Sequence, residues 1–144
     1  MVESRLVAEV LGGAQALGRR VRSVFELSQA VEQGLPKSTL RNVARRVFPA
    51  PSDQRQMIYR VVPEATFKRR RDRLSAPESE RTERLARVVA TAEYVWGDQQ
   101  DARRFLLTPH PALGGKAPLN ASMSELGARQ VEELLGQIQH GLPS

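Results

Sequence analysis

Between Arg60 and Arg73, six Lys and Arg side chains stand against two carboxylates, Glu64 and Asp72. Guanidinium and ammonium groups at that density suit one kind of chemistry, the holding of a polyanion. Arg can pair with phosphate oxygens or guanine edges through two hydrogen bonds, and Lys acts as a point charge. Thr66 and Lys68 lie towards the start of a short helix that could enter a major groove, and are expected to read bases. Arg69, Arg70, Arg71 and Arg73 are expected to clamp phosphates, and Phe67 to belong to the core. Lys37, Arg41, Arg45 and Arg46 are candidates for further backbone contacts, or for plain solvation of a helix surface.

Catalytic chemistry is poorly served. The sequence has no cysteine and only two histidines, His110 in a loop rich in Pro and Gly and His140 at a helix end. That removes disulfides, thiolate ligands and cysteine nucleophiles, and leaves no clustered set of metal ligands. No Ser or Thr sits in the local signature of a known nucleophile, and Gly114 and Gly115 lack the Walker or dinucleotide pattern, so a tight turn accounts for them. A binding protein is expected rather than an enzyme, with no metal and no cofactor.

These groups have to be positioned by helices. Of 144 residues, 40% are hydrophobic and 26% charged, enough to bury a core, while aromatics at 5% leave that core to Leu, Val and Ala. Strong helix formers dominate and alternating strand-type runs are nearly absent, so the fold class expected is all-α. Charge is uneven along the chain: 15 Lys and Arg stand against 7 Asp and Glu up to Arg73, and 7 against 9 beyond it. A basic region at 1–73 followed by a mildly acidic one at 74–144 suggests two domains with partners of different character. With no apolar stretch of membrane-spanning length and no signal-peptide layout, a soluble cytoplasmic protein is expected, without a membrane partner.

Leu6, Val7, Val10, Leu11 and Ala14 recur at helical spacing until Gly12 and Gly13 interrupt them. Val24, Leu27 and Val31 mark a helix that stops at Gly34, and Pro36 suits the first turn of the next, striped by Leu40, Val43, Ala44 and Val47. Ser52 is expected to cap a helix running to about Tyr59, and Pro63 to open one that carries Thr66 to Arg71, which together form a helix-turn-helix at about 52–72. Ser75 and Glu78 form a capping box for a long helix lined by Leu85, Val88, Val89, Ala92 and Trp96 and closed by Gly97. Asp98 caps a helix to Leu107 with Ala102, Phe105 and Leu106 inward. His110 to Leu119 is expected to be a non-helical structured loop. A last helix from about Ser124 to Gln139 buries Leu126, Val131, Leu134, Leu135 and Ile138.

With these residues in place, the chain resembles the Xre/MbcA/ParS-type antitoxins that pair with RES-domain toxins in type II toxin-antitoxin systems. Leu74, Ser75, Glu78 and Ser79 resemble the family's "LS-x-x-ES", and Arg84 to Val88 its "RLARV". Trp96, Gly97 and Asp98 stand in place of "F-G-D". Pro109, Ala112 to Gly115, Pro118 and Leu119 are similar to "P-x-x-ALGG-x-x-PL", and Gly127, Val131, Leu134, Leu135, Ile138 and Gly141 follow the family's final helix. Upstream, Val62, Pro63, Thr66, Phe67, Arg69 and Arg70 resemble the recognition-helix pattern "V-P-x-R-T-L-x-R-R". Ala65 departs from it where Arg is usual, and residues 120–124 depart from the usual segment before the last helix.

The resemblance implies a homodimer whose Xre-like helix-turn-helix binds operator DNA and represses its own operon. It also implies a C-terminal helical domain that binds a RES-domain toxin, an enzyme consuming NAD or transferring ADP-ribose from it, and blocks the toxin's active site. The toxin-binding residues would be Val131, Leu135, Ile138, His140, Gly141, Leu142, Pro143 and Ser144, from the last helix and the chain end. Two alternatives stay open: a plain Xre-like repressor without an enzyme partner, and a small enzyme of unrecognised type.

Overall fold

A computed structural model describes residues 2–141, and among them the chain is helical without a strand, apart from one isolated β-bridge between Pro36 and Arg73. The first apolar stripe is split as its glycines demand. Helix α1, Ser4–Leu11, ends at Gly12, whose φ of 115° is left-handed, and α2 resumes over Gly13–Leu17. A side chain at Gly12 would strike the Asn42 amide, which donates to the Leu11 carbonyl at 3.0 Å and so closes α1 from outside.

Helix α3, Val24–Gln33, is capped by Ser23, and α4, Lys37–Val47, follows Pro36 with Leu40, Val43, Ala44 and Val47 buried. Helix α5, Pro51–Val61, starts at Pro51, so Ser52 lies in its first turn and is not its cap. The fixed φ of proline is already helical at that position, and Ala50 precedes the helix without a side-chain cap. Helix α6, Glu64–Arg69, follows Pro63 and stops sooner than expected: Arg70 is already extended, with ψ at 133°. Arg71 and Arg73 therefore also lie outside the helix.

The central element is α7, Ala76–Trp96, about 30 Å long at 1.5 Å per residue. Its capping box is complete, with Ser75 Oγ accepting from the Glu78 N–H and the Glu78 carboxylate accepting from the Ser75 N–H. Leu85, Ala86, Val88, Val89, Ala90 and Ala92 are buried on several sides at once, because α1, α3, α4 and α5 pack on this helix as well as α8, Gln99–Leu107, and α10, Glu125–Gln139. Trp96 is partly exposed and packs on Phe105, ring centroids 5.9 Å apart.

Asp98 caps α8 and Ser124 caps α10, each by accepting a backbone N–H of the first turn. Between them the segment expected to be non-helical contains a 3-10 turn, Pro111–Leu113, and a short helix α9, Pro118–Ala121. In both cases a proline occupies the first helical position, where its missing N–H is not needed. Leu126 is 68% exposed, contrary to its expected burial, while Val131, Leu134 and Leu135 join one continuous apolar cluster that begins at Val7. No helix among the described residues is long and apolar enough to cross a membrane.

Candidate nucleic-acid interface and C-terminal face

Helices α5 and α6 are joined by the two residues Val62 and Pro63, and Met57, Ile58, Val61, Val62 and Phe67 turn inward from the pair. Phe67 fixes α6 to the body. Its ring meets the edge of Tyr59 at 6.2 Å, and the cations of Lys37 and Arg41 on α4 lie 4.5 and 5.2 Å from its centroid. Such stacking draws α4's charges to the side of α6, an arrangement the sequence contained only as a grouping of Lys37, Arg41 and Arg45.

The opposite side of α6 is open. Ala65, Lys68 and Arg69 are exposed there and Thr66 is half-buried. Lys68 pairs with Glu64 one turn back at 2.8 Å, and that hydrogen bond and its charge hold the ammonium above its ordinary value. Arg69, Arg71 and Arg41 are exposed and form no ion pair among the described residues. Thr66, Lys68, Arg69 and Arg41 are thus brought together around one short helix, with Arg71 just beyond its end.

Five other cations named in the sequence analysis are engaged within the chain: Lys37 donates to the Arg70 carbonyl at 2.9 Å and Arg45 to the Asn42 side chain at 3.1 Å, and Arg70, Arg73 and Arg46 are held more firmly. Arg70 places Nε and Nη2 on the two oxygens of Glu78, each at 3.1 Å. Arg73 donates to the Gly34 carbonyl at 2.8 Å, and Arg46 grips Glu93 with two bonds of 2.8 and 3.0 Å. Burial opposes the charge on Glu78, but hydrogen bonds from Arg70 and from Ser75 outweigh it, and the carboxyl titrates below its ordinary value.

At the other end of the molecule, Val131 and Leu135 are fully buried in the core and Ile138 is partly buried against it. His140 is exposed at the end of α10, and Gly141 follows with a left-handed φ of 70°. Leu142, Pro143 and Ser144 lie outside the described residues. The solvent side of α10 carries Leu126, Arg129, Gln130, Glu133 and Gln137. Beside it the loop of Gly114 and Gly115 is tied off by His110 N–H to Lys116 O and Gly115 N–H to His110 O, both 3.1 Å. Gly127 is needed where α10 crosses α9, since any Cβ there would collide with the Ala121 carbonyl.

Across α7 and α10, Arg87 bonds Glu132 at 2.7 Å and Glu83 at 3.5 Å. Burial, with Glu132 and Glu125 nearby, pushes Glu83 up despite Arg87, whereas burial of Arg87 is outweighed by the carboxylates around it and its value also rises. Arg87 is thus shared between Glu83 and Glu132, and Arg84 pairs with Glu125, which leaves Glu83 the least well served. No group of three or more His, Cys, Asp or Glu able to hold a metal occurs among the described residues.

Residues 26–87 match a model described as the antitoxin Xre-like helix-turn-helix domain, and residues 91–141 one described as the antitoxin Xre/MbcA/ParS C-terminal toxin-binding domain. The Antitoxin Xre of Pseudomonas putida is 32% identical over 122 residues, spanning 83% of this chain and 74% of that one. The chain belongs to the Xre/MbcA/ParS antitoxin family. The Antitoxin Xre of Yersinia enterocolitica is 34% identical over 85 residues, 56% of this chain and 57% of that protein. Within this antitoxin the helix-turn-helix match runs from α3 into α7, and the toxin-binding match from the end of α7 through α10. The two matched segments meet inside α7, the helix on which both sides of the molecule pack.

Proposed function

We propose that the protein neutralises a RES-domain toxin that consumes NAD or transfers ADP-ribose from it, and that it represses its own operon as a DNA-bound homodimer. It acts by binding and not by catalysis. The regions 1–73 and 74–144 divide these tasks. The observation that carries the reading is a helix-turn-helix whose second helix exposes Lys68 and Arg69, with Thr66 half-buried and Arg41 on the neighbouring α4, joined through α7 to a toxin-binding domain.

Toxin recognition falls to α10 and the chain beyond it. Because Val131 and Leu135 are enclosed in the core, they contribute by holding the helix, while His140, Gly141 and the residues from Leu142 to Ser144 approach the toxin's NAD cleft. A short segment preset by proline loses little freedom on entering a cleft.

The test is co-expression with the toxin-sized reading frame beside the gene, scored by growth and by copurification. The full chain is expected to restore growth and to copurify with the enzyme. Removal of residues 141–144 is expected to weaken rescue while leaving binding to duplex DNA intact. Full rescue by the shortened chain refutes the cleft-blocking mechanism, and failure of the full chain to copurify refutes the antitoxin role towards that enzyme.

A further inference from the structure

A six-residue helix has almost no stability of its own, so the direction of α6 depends on what anchors it. Phe67, the one buried residue of the helix, is one anchor, set among Tyr59, Lys37 and Arg41. A second lies at the C-terminal end, where Arg70 leaves the helix and its guanidinium meets the Glu78 carboxylate in a two-bond fork. Glu78 is held in turn. Its side chain is 7% exposed, one of its oxygens also accepts the Ser75 N–H at 2.8 Å, and it belongs to the first turn of the longest helix in the molecule.

The chain around Arg70 is fastened in the same place. Lys37 Nζ donates to the Arg70 carbonyl at 2.9 Å, the Leu74 N–H to Leu35 O at 2.8 Å, and the Leu35 N–H to Ser79 Oγ at 2.8 Å. The exit from α6 is thereby bolted to the turn between α3 and α4 and to the start of α7. A phosphate seeking Arg70 would have to displace a nearly buried carboxylate that already occupies its fork, and the pair carries no net charge to offer DNA.

We propose that Arg70 is a positioning residue for DNA binding, which fixes the direction of α6 by gripping Glu78 and makes no phosphate contact of its own. This rests on the DNA-binding reading above. It gives the two adjacent arginines opposite duties: Arg69 reaches the nucleic acid and Arg70 reaches back into the protein. It also makes Glu78, an acidic residue, necessary for holding a polyanion.

The experiment measures binding of the full chain to two duplexes of equal length over a range of salt. One carries the DNA immediately upstream of the gene and the other a scrambled sequence. Glu78→Gln and Arg70→Met are each expected to lose about tenfold in affinity for the upstream duplex, to keep affinity for the scrambled one, and to retain the wild-type salt slope. The double variant should lose no more than either single one, because both break the same link. Arg69→Ala serves as the phosphate-contact reference and should flatten the slope on both duplexes by about one.

The proposal is overturned if Glu78→Gln binds the upstream duplex as tightly as wild type or more tightly, or if Arg70→Met flattens the slope as Arg69→Ala does. Should circular dichroism show Glu78→Gln unfolded, Arg70→Met decides the matter on the same outcomes. A wild-type chain without preference for the upstream duplex overturns the specific-DNA reading and this inference with it. A preserved preference with Glu78→Gln unchanged overturns only the role of Arg70.

Discussion

Glu78 and Glu83 lie on the same helix, five positions apart, yet their charges have opposite effects on the fold. Glu78 titrates below the ordinary carboxylate value of 4.5, so the folded chain binds its proton less readily than the unfolded chain does. Its contribution is fully present above pH 4.5 and is lost as the pH falls through the folded value. Glu83 titrates above 4.5, so its contribution is present at low pH and is lost as the pH rises through its folded value. Glu78→Gln should therefore lower stability at pH 7 by about 2 kcal/mol, less than the loss typical of fully buried pairs because Arg70 keeps part of its side chain in water. Glu83→Gln should leave stability at pH 7 unchanged or raise it, since Arg87 keeps Glu132. Urea unfolding at pH 7 and at pH 4 checks both signs, and a loss at Glu83 matching that at Glu78 would contradict the account.

The run from Lys68 to Arg73 was legible as a cationic cluster, but not which of its members face outward. That depends on Glu78 and Gly34, which accept from Arg70 and Arg73 and lie at other points of the chain. Burial of Phe67 was legible from its place in the short basic helix, and it is buried. The closeness of Arg41 to α6 was not, because it arises from α4 packing beside that ring. Arg69→Ala should therefore weaken DNA binding measurably, while Arg46→Ala should leave it unchanged, since both bonds of Arg46 go to Glu93. Fluorescence anisotropy with a labelled duplex distinguishes the two.

Element boundaries were best read where a cap is made by neighbours in sequence. Ser75 with Glu78, Gly97, Asp98 and Ser124 each close or open a helix by bonds within four residues, and each does so in the structure. Boundaries set from a distance were missed. Helix α6 ends early because residues 72–74 pair with the turn at 35–37, and α5 begins at Pro51 because proline takes the first position ahead of Ser52. Leu126 follows the apolar spacing of α10 but stands on the solvent side of the turn whose Gly127 meets α9, and is exposed. Gly127→Ala should cost about 1–3 kcal/mol through the collision with the Ala121 carbonyl, although alanine is the better helix former, whereas Gly136→Ala, with open space around it, should be neutral or stabilising. Thermal unfolding of the two variants checks the contrast.

Across the whole chain, the all-α class was legible from composition, but the role of α7 between the basic residues up to Arg73 and the more acidic ones beyond was not. A helix that closes its first turn around Arg70 and its later turns against α10 belongs mechanically to both regions. Arg60 adds a second tie, donating to the Asn120 side chain of α9 at 2.6 Å, and Arg81 a third, from α7 to the Val61 carbonyl at 3.0 Å. The apolar cluster runs without a break from Val7 to Leu135, so opening either region exposes the buried side of the same helix. Thermal unfolding of the full chain should therefore follow one cooperative transition, with helix content and the fluorescence of Trp96 changing together. A cavity at Val88 or Val89, both buried in α7, should lower DNA binding and toxin binding in parallel, at temperatures where the folded population becomes limiting. Arg69→Ala, at the open face of α6, should lower DNA binding alone. Two separate transitions, or a Val88→Ala variant that loses one activity and keeps the other at every temperature, would mean that the halves fold independently and that α7 is only a connector.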